Sequence, residues 1–176
     1  MNFQKKGSAN MFTSSLLIIY LVALVWIILF KLNIQYTYLE HNRSLNLVPF
    51  NEPLILNGKP DLGEIKLNAL IYIPLGVYVG ILFQKWSIIK KILLFFVSSL
   101  ILEVLQYILA MGASDITDII NNTLGGIIGL TIYTILEKIF PQKAQKIINI
   151  LAALATVCIV SLLLYLKINK LLMFRK

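Results

Sequence analysis

The sequence predicts an all-α, polytopic transmembrane bundle of about five helices. Three observations predict it: an apolar content beyond that of soluble domains, apolar runs long enough to cross a bilayer, and lysines collected at the ends of those runs. Of the 176 residues, 59% are hydrophobic and 14% charged, whereas a soluble domain is about half apolar and about a quarter charged. Water solubility would therefore require an apolar surface that no monomer carries, and lipid is the natural solvent. The net charge of +8 does not indicate nucleic acid, because the lysines flank apolar runs and form no stripe interleaved with aromatics.

A hydrocarbon core of about 30 Å is crossed by about 20 helical residues. Runs 13–30, 67–83, 88–111, 116–136 and 147–166 meet that length. The first follows Lys5 and Lys6 and so resembles a signal peptide. Its apolar stretch exceeds an ordinary signal core and no small-x-small cleavage site follows, which predicts an uncleaved anchor after a cytoplasmic segment 1–12. Segment 31–66 contains Pro49, Pro53, Asn57, Gly58 and Pro60, turn formers that argue against another span and predict a structured or partly inserted loop. The remaining connections are short, as between antiparallel neighbours in a bundle. Segment 137–176 comprises a basic connection, the fifth helix and a short basic tail. Cys158, the sole cysteine, can form no disulfide within one chain and reads as a small buried apolar residue.

Positive residues in short loops are retained in the cytoplasm. Lys85, Lys90 and Lys91 follow the second run and Lys138, Lys143 and Lys146 follow the fourth, while the turn around Ser114 has neither Lys nor Arg. The N-terminus is therefore predicted inside and loop 31–66 outside. Lys167, Lys170, Arg175 and Lys176 oppose that orientation, and the earlier loops are expected to prevail.

An ionisable side chain at membrane depth costs at least about 2.5 to 3.5 kcal/mol on insertion scales. Glu103 lies well inside the third run, with Gln106 one turn later on the same face. Asp115, Asp118 and Asn122 share a face at the start of the fourth run, and Asn68 begins the second. All lie toward the predicted extracytoplasmic ends, the side that also holds Arg43 and Asn46. These depths predict a polar pocket open outward, lined by the second, third and fourth helices and roofed by the first loop. Simpler roles compete: either aspartate can cap the fourth helix, and Asn68, Gln106 and Asn122 can serve as interhelical hydrogen-bond glue. Glu103 is too far from its own helix end to cap it, so it needs a cation, a proton or a polar cavity. Arg43 is the candidate cation, with lipid headgroups as its other natural contact.

Pro74 removes a hydrogen bond from the second helix and predicts a kink, a way to present carbonyls to a substrate. Gly76 with Gly80, and Gly125 with Gly129, form small-xxx-small faces suited to close helix packing. No phosphate-binding glycine loop, HExxH, GxSxG or Cys/His metal spacing is present, and His41 reads as a solvated loop residue.

Four stretches together resemble the VanZ-like family of bacterial membrane proteins. They are Arg43 with Asn46-Leu47-Val48-Pro49-Phe50; Asn68 followed by Tyr72-Ile73-Pro74-Leu75-Gly76; Glu103-x-x-Gln106; and Asp115-x-x-Asp118-x-x-x-Asn122-Thr123-x-Gly125. The resemblance assigns 13–136 to a VanZ-like four-helix membrane domain and leaves the fifth helix outside it. The arginine that the family carries just before the first aspartate is absent, since Gly112, Ala113 and Ser114 stand there. Arg43 is then the main cationic contact. The resemblance implies a role in tolerance to teicoplanin-type glycopeptides and lipoglycopeptides, drugs that act on cell-wall precursors outside the membrane.

Two mechanisms follow as expectations. In one, Arg43, Asn46, Asn68, Gln106 and Asn122 bind a lipid-linked cell-wall precursor or the drug and change its presentation without catalysis. In the other, Glu103, Asp115 and Asp118 supply acid–base chemistry or hold a divalent cation against a lipid phosphate. A transporter is disfavoured because five helices without an internal repeat are few for alternating access.

Overall fold

The computed structural model describes residues 2–30, 44–50, 55–56, 59–60, 63–110 and 113–168. Five long helices, α1 (Asn2–Phe30), α2 (Gly63–Leu82), α3 (Ile88–Leu109), α4 (Ile116–Ile139) and α5 (Ala144–Ile168), make up most of it. Each contains a stretch long and apolar enough to span a membrane: Ala9–Leu29, Ile65–Leu82, Ile88–Leu109, Ile116–Ile139 and Ala144–Leu162.

Helix boundaries follow local chemistry and differ from the apolar runs for that reason. α1 continues back through the polar segment before Thr13, because hydropathy marks the part of a helix that lipid can cover and says nothing against a polar extension. The hydroxyl oxygen of Ser87 accepts from the Lys90 amide at 3.4 Å and starts α3. α3 stops at Leu109, short of the predicted Met111, where Ala110 turns left-handed at φ 52°. α4 runs past Leu136 to Ile139 before Pro141, since Glu137 and Lys138 are competent helix formers.

Contacts between helices fix their directions. Ala69 packs against Gly125 and Ile73 against Gly129, so α2 and α4 run parallel. Ser99 bonds Asn122, and Phe95 lies against Gly126, so α3 is antiparallel to both. Gln106 reaches Ile28, and Asn149 reaches Thr13, which aligns α1 and α5 with α3. The bundle thus has an aspartate end, where α3 turns into α4, and a lysine end, where Lys85, Lys90, Lys138 and Lys143 lie.

The α2–α4 contact is backbone against backbone. A methyl group on Gly76 would stand 2.7 Å from the Leu130 amide nitrogen, and one on Gly129 would strike the Ile73 carbonyl. Glycine is what permits this approach. Against the seam pack Leu24 and Ile28 of α1, Tyr72, Leu75 and Val79 of α2, and Phe95 and Leu102 of α3, forming the main apolar core.

α2 stays helical on both sides of Pro74 without interruption. The Tyr20 hydroxyl donates to the Ile71 carbonyl at 2.8 Å, one turn before the proline. A neighbouring helix thereby supplies a donor beside the site where proline removes one. Cys158 is exposed on α5. The expectation that it is buried is corrected: α5 touches the bundle chiefly through its first turns, and its later turns are exposed.

The segment between α1 and α2 is structured where it is described. β1 (Ser44–Asn46) pairs in parallel with β4 (Ala113–Asp115), matching Asn46 with Asp115, and β2 (Ile55–Leu56) pairs antiparallel with β3 (Lys59–Pro60).

Candidate functional site

At the aspartate end the chain passes from α3 through β4 into α4, and the polar residues gather around that turn. Asp115 stands at the N-cap of α4, with Oδ1 accepting from the Thr117 amide at 2.7 Å. The acidic cap satisfies an orphan donor and favours the positive end of the helix. Its other oxygen, Oδ2, accepts from Asn46 Nδ2 at 3.2 Å. Asn46 Oδ1 in turn accepts from the Val48 amide at 3.2 Å, folding the loop locally into an Asx turn. The Phe50 amide donates to Thr117 Oγ1 at 3.1 Å, which anchors a residue held left-handed at φ 57°. Residues 44–50 are thus tied to the start of α4 by strand pairing and two side-chain bonds.

Glu103 reaches this turn from the middle of α3. It is 1% exposed, and its Oε2 accepts from the Asp115 backbone amide at 3.0 Å. The carboxylate therefore serves the beginning of another helix, a use that distance from its own terminus had concealed. Asp118, in the first turn of α4, is buried on the face shared with Asn121 and Asn122. Among the described residues no three His, Cys, Asp or Glu side chains converge as a metal-binding group.

Further along the same faces the contacts are neutral. Asn122 Nδ2 donates to Ser99 Oγ at 2.9 Å, linking α4 to α3, and Gln106 Nε2 donates to the Ile28 carbonyl at 2.7 Å, linking α3 to α1. Both act as interhelical glue, one of the two roles expected for them. Asn68 is half-buried on α2, next to Ala69 where that helix meets Gly125, and no hydrogen bond joins it to the cluster among the described residues. Arg43 lies outside the described residues.

Sequence reasoning missed Thr117, Ser99 and Asn121, which join or adjoin the cluster. Thr117 follows an N-cap aspartate by two, and Asn121 follows Asp118 by three, so helical spacing could have found both. It also missed a second polar contact at the other end of α1. Thr13, fully buried, accepts from Asn149 Nδ2 and Gln145 Nε2, each at 2.9 Å, and donates to the Ala9 carbonyl at 2.9 Å. Gln145 Nε2 also reaches Asn10 Oδ1 at 3.1 Å. This clasp fastens α5 to α1.

Five apolar spanning helices with a polar cluster concentrated at one end define a multi-pass integral membrane protein. The VanZ/LLP1 family model matches residues 17–137, and the chain is 38% identical over 152 residues to Protein VanZ of Enterococcus faecium, covering 85% of this chain and 89% of that protein. The chain belongs to the VanZ-like family. No solved structure matches it.

Proposed function

We propose that this protein confers or modulates tolerance to teicoplanin-type glycopeptides and lipoglycopeptides, through a polar site on the outer face of the bacterial cytoplasmic membrane. The ligand in this reading is the lipid-linked cell-wall precursor or the drug. The observation that carries it is the buried Glu103 carboxylate tied to the Asp115 amide, at a membrane-protein end where no helix-capping need of α3 calls for an acid. Beside that cluster, Leu45, Leu47, Val48 and Phe50 are each more than half exposed. A polar site rimmed by an apolar loop suits an amphiphile whose head is hydrogen-bonded and whose tail remains in lipid.

The test is teicoplanin susceptibility of a susceptible host expressing the chain, measured alongside its abundance in the membrane. The unmodified protein is expected to raise tolerance, and Glu103→Gln to lose it at normal abundance, since the glutamine carbonyl can still accept from Asp115. Cys158→Ala, on the exposed part of α5, is the neutral control. No tolerance from the unmodified protein, or full tolerance from Glu103→Gln, would overturn the reading.

A catalytic variant of this reading draws on a specific feature: Glu103 and Asp118 are both buried carboxylates at one end of the bundle, the residue types that acid–base work on a lipid phosphate requires. Purified protein in lipid separates the two, because turnover of a polyprenyl phosphate indicates catalysis and saturable binding without turnover indicates presentation.

A further inference from the structure

The lysine end of the bundle holds a buried cation without an acid. Lys91, near the start of α3, is only 8% exposed, and among the described residues its ammonium makes no ion pair or hydrogen bond. Lysine is seldom buried to that degree unless it is paired. Among the described residues of that end, Glu137 is the one acid beside Lys85, Lys90, Lys91, Lys138, Lys143 and Lys146. Glu137 lies against the Tyr133 hydroxyl, which also accepts from Gln84 Nε2 at 2.9 Å. The Lys91 nitrogen is not among the side-chain atoms that are both unpartnered and sealed from the surface. Its stem is therefore enclosed and its tip open.

Helix geometry says where the tip opens. Ser99 bonds Asn122 and Phe95 lies against Gly126, and Lys91 continues that side of α3 one turn nearer the lysine end. Long side chains on a helix lean toward its N-terminus, so Lys91 reaches back over Ser87 and Ile88, which precede it by four and three residues. That is the beginning of α3. Ser87 caps it, its hydroxyl accepting from the Lys90 amide at 3.4 Å and its carbonyl from the Lys91 amide at 3.2 Å. The Ile88 and Ile89 amides have no partner among the described residues, which leaves two donors open at the positive end of the helix dipole. Open amides, a helix dipole and an unpaired ammonium together suit an oxyanion. From the same helix start, Ile89, Leu93 and Phe96 form an exposed apolar stripe. Trp86, stacked on Phe83 with ring centres 4.5 Å apart, stands beside it as an interfacial aromatic. At the helix terminus the lysine from the protein side and the stripe from the other side meet, so the anion that fits carries an apolar tail.

We propose that the N-terminus of α3 is a binding site for the phosphate of an anionic glycerophospholipid. The Lys91 ammonium and the Ile88 and Ile89 amides hold the phosphate oxygens, and an acyl chain runs along Ile89, Leu93 and Phe96. The exposed Lys85 and Lys90 add attraction for anionic lipid without forming the site. This site stands at the opposite end of the bundle from the carboxylate cluster, and it holds whether or not the chain confers tolerance.

The intact protein in phosphatidylcholine vesicles, with a trace of spin-labelled phosphatidylglycerol or spin-labelled phosphatidylcholine, tests this by the fraction of each probe that becomes motionally restricted. Phosphatidylglycerol is expected to be restricted several-fold more. The preference is expected to persist at about 1 M salt, where a screening length of about 3 Å removes diffuse attraction to surface lysines. Equal restriction of the two probes, or a preference lost in salt, would overturn the site. Displacement of the phosphatidylglycerol probe by inorganic phosphate would make the ligand a free anion and overturn the lipid assignment. Lys91→Met keeps an apolar stem and removes the charge, so it is expected to lose most of the preference, whereas Lys143→Met, which removes the same charge from the α4–α5 turn, keeps it. Full preference in a folded Lys91→Met protein would overturn the proposal, and if that variant does not fold, the salt-resistant preference of the unmodified protein decides.

Discussion

Asp115 carries three connections at once: its backbone amide to Glu103, one carboxylate oxygen to the start of α4, and the other to Asn46. Asp115→Ala removes the last two and is expected to destabilise the protein by about 1–2 kcal/mol, the worth of a good N-cap. Asp115→Asn keeps an acceptor for the Thr117 amide and should lose less. Thermal unfolding in detergent checks the order. Because Asn46 and Asp115 are in direct contact, the losses from Asn46→Ala and Asp115→Ala should not add in the double variant. Additive losses would mean that the bond contributes nothing beyond its parts. Glu103 shows why the residue type alone was ambiguous. A carboxylate at that depth was legible as anomalous, but the amide it serves lies across a turn whose path the sequence did not reveal.

Helix against helix, two different devices hold the bundle. α2 and α4 meet through glycine, and no side chain can relieve a methyl group at Gly129 that points into the Ile73 carbonyl. Gly129→Ala is expected to cost at least about 1–3 kcal/mol, as overpacking does, and to lower the folded yield in detergent. α5 is held by hydrogen bonds at Thr13 instead. Thr13→Val leaves the Asn149 amide buried without that partner and should destabilise by about 1–3 kcal/mol, whereas Thr13→Ser should be nearly silent. Faster proteolysis of the connection at Gln142 in the valine variant would locate the loss at α5. The glycine spacing was readable as a packing face. The clasp was not, because Thr13 and Asn149 are single polar residues in separate apolar runs and nothing local pairs them.

For the molecule as a bundle in a bilayer, alternation of the five helices puts all the described inter-helix lysines of the α2–α3 and α4–α5 turns at one end and the carboxylate cluster at the other. The positive-inside bias then predicts the lysine end in the cytoplasm. Cysteines introduced at Lys90 and Lys143 in a Cys158→Ala background should react with an impermeant maleimide only once the inner face is opened. A cysteine at Leu47, which is 64% exposed, should react from outside, and it is a better reporter than the buried Ser114. Labelling in the reverse sense would invert the topology and move the polar site to the cytoplasmic face, away from any drug or precursor outside.

Membrane character, the number of spans and the unusual status of Glu103, Asp115, Asp118 and Asn122 were all legible in the chain, because hydropathy, span length and helical spacing are local properties. The burial of Cys158 was a local inference too, and it failed where the outward face of α5 leaves that residue exposed. Only the tertiary structure decided that Glu103 serves the Asp115 amide, that β1 pairs with β4, and that α5 is clasped to α1. Each of these depends on which distant segments come within hydrogen-bonding reach, about 3 Å, and that distance is set by the packing of whole helices.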